Sequence, residues 1–159
     1  MQWSRSDIAK EIPAVLGWAL GVGYVFASYG NLAAAVPIHF GLSGMPDAWA
    51  PRALVWVFPA MTTFLFAALT LGQYFGKPRL PWSTSRKNRA AIYGVTRNLI
   101  WWMKLQLMWM FSYVQYMEVQ IAMHRAIGLG NYFASAFLAM PFLTMAAYFY
   151  IAYRISRQR

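Results

Sequence analysis

The chain has 159 residues, of which 60% are apolar and 11% charged, with a net charge of +10 and no cysteine. A soluble domain of this size cannot hide that much apolar surface, and it carries roughly 25% charged residues, so that class is excluded. The missing cysteines exclude disulfides, thiolate metal sites and thiol nucleophiles. The basic residues gather at the ends of apolar runs, which points to membrane topology and anionic lipid headgroups and away from nucleic acid.

The N-terminal residues carry Ser4-x-x-Asp7, a capping-box pattern with Asp in place of Glu, and predict a short interfacial turn. The apolar run that begins at Ile12 is longer than the ~7–15 residues of a signal h-region, so it reads as a retained span, residues 12–36. Within it, Gly17-x-x-x-Gly21 is a small-residue face that admits a close helix neighbour. That neighbour is either a second copy of the chain or another span of the same one.

Ala35–Arg52 follows as a polar-punctuated connection with three prolines, His39 and Asp47. A second span is expected over residues 53–74, bent by Pro59, with Thr62 and Thr63 placed to bond freed carbonyls. The next connection holds Lys77, Arg79, Arg86, Lys87 and Arg89 and no acid, so the positive-inside rule places it in the cytoplasm. Ser83-Thr84-Ser85 offers a cap for the helix that follows.

From Ala90 to Met123 there is no proline and one glycine, Gly94. A helix of that length is roughly 50 Å, against ~30 Å of hydrocarbon, so it must tilt, project or break. Its apolar part is residues 99–123. At 100° per residue, Arg97, Lys104, Gln115 and Glu118 share one stripe with Trp101 and Met108, while Gln106 and Gln120 point elsewhere. Lys104 is expected to snorkel toward the inner surface, and Glu118 needs a partner from another element. A tight turn at residues 126–131 leads to a fourth span, residues 132–152, with Pro141 near its middle.

The expected architecture is all-α: one transmembrane domain over residues 1–159, a four-helix bundle with a long third helix and both termini cytoplasmic. His39, Asp47, Arg52, Glu118, His124 and Arg125 then belong to the outer side. A site built from His39, Asp47, Glu118 and His124 for a divalent metal or a proton stands beside a structural reading. In that reading Asp47 caps the second span and Arg52 or Arg125 neutralises Glu118. Neither the His39–Asp47 interval nor Glu118–His124 matches a zinc signature, so no metal is assigned. There is no nucleophile elbow, phosphate loop or His-Glu-x-x-His pattern, and four acids leave little for acid–base work, so the chain reads as non-enzymatic, without a cofactor. An intramembrane carboxylate is a functional candidate by default, which singles out Glu118.

The stretch Val36-Pro37-Ile38-His39-Phe40-Gly41-Leu42-Ser43-Gly44-Met45-Pro46-Asp47-Ala48-Trp49 resembles the membrane family of SdpI-type immunity and signalling proteins, more narrowly their N-terminal domain of unknown function. The likeness covers about residues 16–75. It departs from the family at Gly41, where Asn is usual, and at Ala50-Pro51-Arg52. The resemblance implies a multi-pass protein of the bacterial cytoplasmic membrane that senses a peptide or lipid-like ligand. His39, Asp47 and Trp49 form the expected recognition loop, with Glu118 and His124 as further ligand-binding candidates. The basic connection would face a cytoplasmic partner. The alternative is an accessory subunit of a larger respiratory or photosynthetic membrane complex, packed on partner helices through its aromatic third helix.

Overall fold

The computed structural model describes residues 5–75 and 86–157. The expected cap at Ser4, the basic residues Lys77 and Arg79, and the cap at Ser83-Thr84-Ser85 lie outside the described residues, as do the side chains of Asp7, Arg86 and Lys87. Arg89 is exposed at the start of the third helix.

The described residues form four long helices: α1 (Arg5–Ser28), α2 (Val57–Phe75), α3 (Arg86–Ala122) and α4 (Phe133–Arg157). Between α1 and α2 the chain makes a two-stranded antiparallel hairpin, β1 (Ala35–Phe40) with β2 (Pro46–Pro51). The fold is therefore mostly helical as expected, with a hairpin where a plain connection was anticipated. The first span is correspondingly displaced from residues 12–36 toward the N-terminus, to Ile8–Asn31. Its helix ends at Ser28, a 3₁₀ turn covers Tyr29–Asn31, and residues 35 and 36 already belong to β1. Three prolines argue against a strand pair on pattern alone. Here Pro46 and Pro51 occupy the two ends of β2, and a hairpin has free edges where a missing N–H costs no ladder bond.

Among the described residues three helices are long and apolar enough to cross a membrane: Ile8–Asn31, Arg52–Gln73 and Phe133–Arg157. They expose large apolar side chains all round, among them Leu20, Phe26, Phe64, Leu71, Phe142 and Leu143, as a lipid-facing surface does. The longest helix, α3, is not one of the three, because of Arg97, Lys104, Gln106, Gln115, Glu118 and Gln120. It takes the central position instead. α1 runs parallel to it, with Trp101 donating to Lys10 O and Gln120 to the Tyr24 hydroxyl. α2 runs antiparallel, with Thr62 against Gln115 and Thr70 and Gln73 against Lys104. α4 is also antiparallel, with Phe137 against Phe111 and Tyr148 against Thr96. Trp101, Lys104, Gln115 and Gln120 of α3 thus find partners on the apolar helices around it, which is the tolerated arrangement in lipid.

Gly17 and Gly21 explain how α1 comes so close. A Cβ on Gly21 would lie 2.8 Å from the Ser112 Cα, and one on Gly17 would lie 3.2 Å from the Trp109 ring. The small-residue face of α1 is therefore spent on α3 of the same chain, the second of the two readings of that motif. Trp109 adds a bond to Pro13 O at 3.0 Å.

The anticipated stripe on α3 is buried: Lys104, Met108, Gln115 and Glu118 have no exposed surface. Lys104 does not snorkel. Its ammonium pairs with Glu11 of α1 and donates to Gln73 Oε1 (3.0 Å) and Thr70 Oγ1 (3.3 Å) of α2, so one cation ties three helices together. Pro59 falls in the first turn of α2, where its missing N–H has no intrahelical partner to lose, and the expected bend has no cause there. Thr62 and Thr63 do back-bond as anticipated, to Phe58 O at 2.7 Å and Pro59 O at 2.8 Å.

Candidate functional site: the hairpin and the cavity beneath it

The hairpin is joined to the helices at both ends. At its base Arg52 N donates to Ala34 O, and the Arg52 guanidinium lies over the Tyr29 ring at 5.7 Å. Beneath that base a core of Val25, Leu32, Val36, Val55, Val119 and Ala122 joins α1, β1 and α3. At its tip Gly44 N donates to Gly41 O, closing a tight turn, and Gly44 takes φ +77°. A Cβ there would sit 2.7 Å from Gly130 O, and one on Gly128 would sit 2.7 Å from Gly44 O. Leu129 N donates to Gly44 O across this glycine contact at 2.7 Å. The tip is therefore docked backbone to backbone on the α3–α4 connection.

The strand register sets the polar pair. Pro37 opposes Trp49, His39 opposes Ala48 and Phe40 opposes Pro46, which leaves Ile38 extra on one strand and Asp47 extra on the other. Such bulges re-aim side chains. Here they bring His39 Nδ1 and Asp47 Oδ1 to 2.6 Å, with side chains 69% and 51% exposed. At that exposure the pair contributes little to stability and serves mainly to orient the imidazole. Trp49 lies two residues on from Asp47 and is also exposed, so His39, Asp47 and Trp49 share the surface that the sequence assigns to recognition.

The other two candidates stand apart. His124 is the left-handed residue that ends α3, at φ 58°. Its N–H bonds Ile121 O and the next N–H, of Arg125, bonds Gln120 O, the Schellman pattern in which glycine is usual. Its backbone role is helix termination. Glu118 is buried one turn before that end, and neither carboxylate oxygen has a partner. No ion pair or hydrogen bond links Glu118 or His124 to His39 or Asp47 among the described residues. The structural reading of these residues also changes. Asp47 lies in β2, bonded to His39, and does not cap α2; Arg52 lies over Tyr29 and Glu118 is left without it. Among the described residues no three His, Asp or Glu side chains come together as metal ligands.

Sequence reasoning had no signal for the cavity behind β1. It measures about 250 Å³ and is lined by residues 38–42, Phe58 of α2, Phe111 and Val114 of α3, and Phe133 and Phe137 of α4. Phe111 and Phe137 meet edge to face at 5.6 Å, and Phe133 packs on Phe137 at 5.5 Å, giving an aromatic wall. His39 is the one ionisable residue in the lining. Leu42 of the tip and Leu138 of α4, both well exposed, also line it. An apolar chain fits this volume and lining, with a polar group left near the imidazole.

An aromatic-walled cavity under a docked hairpin, on a bundle whose outer helices are lipid-compatible, fits a membrane-protein class: a mostly helical membrane protein with a small β-hairpin. Residues 16–63 match the model of a family described as a domain of unknown function (DUF1648). That segment runs from α1 through the hairpin into α2, so it contains the His39–Asp47 pair and stops before α3. No curated protein and no solved structure matches the chain.

Proposed function

We propose that the chain is a non-enzymatic, SdpI-like protein of a bacterial cytoplasmic membrane that binds the apolar part of a peptide or lipid-like ligand beneath its hairpin. α3 spans with the other three helices, both termini are cytoplasmic, and the hairpin is on the outer side. Arg89, Arg154 and Arg157 lie at the end of the bundle away from the hairpin, in keeping with that orientation. The observation that carries the reading is the 250 Å³ aromatic-walled cavity that His39 borders. The ligand's apolar segment would occupy the space between Phe58, Phe111 and Phe137. Its polar end would meet the imidazole held by Asp47, with Trp49 beside it.

The test is expression in a host sensitive to a secreted peptide toxin, comparing the wild type with His39→Ala and Phe137→Trp. Resistance that both substitutions reduce, at equal membrane levels, supports the reading. Wild-type protein that confers no resistance to any peptide tested counts against it.

A second reading, an accessory subunit of a larger membrane complex, draws on one observation. Trp102, Trp109, Tyr113 and Tyr116 of α3 are each 41–49% exposed although α3 is the central helix. Their spacing puts them on one stripe, as a partner helix would require. Migration in a native gel after mild solubilisation separates the readings: a lone 18.2 kDa species, or its dimer, disfavours the subunit role.

A further inference from the structure

Two neighbouring side chains on α3 leave three buried acceptor atoms without a donor. They are Gln115 Oε1 and both carboxylate oxygens of Glu118. Both residues have no exposed surface, and an i, i+3 pair places their Cβ atoms about 5–6 Å apart on one helix face.

The orientation of the Gln115 amide follows from its partners. Thr62 gives its hydroxyl hydrogen to Phe58 O, so toward Gln115 it can only accept. Gln115 Nε2 donates to that hydroxyl at 3.2 Å and to Phe111 O at 3.1 Å. A flipped amide would set its oxygen against two acceptors, so the nitrogen stays there and Oε1 is the atom left over. α1 closes this side at Gly21, where even a Cβ would come 3.0 Å from Gln115 Nε2.

No cation among the described residues pairs with the carboxylate. Lys104 is held by Glu11 and lies eleven residues from Gln115, roughly 16 Å along the helix. Arg52 stacks on Tyr29, Arg125 is exposed, and His124 ends the helix beyond Glu118. The contrast with Lys104 is informative, because that buried charge has an ion pair and two hydrogen bonds. A buried carboxylate without a counter-charge costs several kcal/mol, and more in lipid than in water.

We propose that Gln115 and Glu118 form an intramembrane site for a monovalent alkali cation. The chemistry favours that class. The available atoms are hard oxygen acceptors with no nitrogen or sulfur among them, and they carry one negative charge when Glu118 is ionised. A divalent ion would keep an uncompensated positive charge in an apolar surrounding and has no second carboxylate to meet it. The site lies one turn inside the hairpin end of α3, so cation binding would stiffen the α1–α2–α3 contact directly below the hairpin.

The experiment is thermal unfolding of the purified chain in nanodiscs at fixed pH and ionic strength, replacing N-methylglucamine chloride with NaCl or KCl. The expected result is a saturable rise in Tm with one of the two ions. Glu118→Gln should abolish the dependence, and Gln115→Leu should raise the half-saturating concentration roughly tenfold or more. A wild-type Tm indifferent to Na⁺ and K⁺ overturns the proposal, and so does a Glu118→Gln variant with the wild-type response. If Glu118→Gln does not fold, the wild-type titration alone decides. An infrared band of a protonated carboxyl that persists at saturating salt would assign the neutralising charge to a proton and overturn the alkali site.

Discussion

Gly21→Ala is the sharpest probe of how α1 seats on α3. The added methyl would lie 2.8 Å from the Ser112 Cα, where ordinary contact begins at 3.4 Å, so the helices must part by about 0.6 Å at this crossing. Backbone cannot rotate away as a side-chain tip would. Overpacking of this kind costs about 1–3 kcal/mol, and the gain from replacing a helical glycine recovers at most about 1 kcal/mol. Net destabilisation of up to about 2 kcal/mol is therefore expected. Gly23→Ala, two residues on with nothing within 4 Å of its Cβ, should be neutral or slightly stabilising. Reversible unfolding in mixed micelles, followed by tryptophan fluorescence, measures both. If Gly21→Ala is as stable as Gly23→Ala, the close crossing does not exist and the arrangement of α1 on α3 is wrong.

Lys104→Met alone should destabilise by about 3–5 kcal/mol, because it leaves Glu11 buried without its partner, and adding Glu11→Gln should recover much of that loss in a double-mutant cycle. His124→Gly should be neutral or stabilise by up to about 1 kcal/mol in the same assay, since the residue occupies a left-handed helix end; a large loss would give the imidazole a role the backbone does not explain. Gly44→Val should undock the hairpin tip, through both its positive φ and the 2.7 Å approach to Gly130 O, and hydrogen exchange at the Leu129 amide should speed up at least tenfold while amides in mid-α3 stay protected.

The apolar runs, the glycine pair and the proline-free third helix were legible because each follows from composition or from a helical period that holds locally. The polar stripe of α3 was legible for the same reason: 100° per residue places Lys104, Gln115 and Glu118 together whatever surrounds them. What covers that stripe is a tertiary matter. Nothing local says that Glu11, ninety-three positions earlier, meets Lys104, and the solvated alternative, snorkelling, is equally consistent with the sequence. The hairpin was hidden by its prolines, whose cost depends on which edges are free. The cavity was hidden because its walls come from β1, α2, α3 and α4, which only packing brings together. The sequence by itself determined that this chain seeks lipid and that its third helix carries polarity along one face. That this helix goes to the centre follows from packing, because the buried ends of Lys104 and Gln115 require partners that distant segments alone supply.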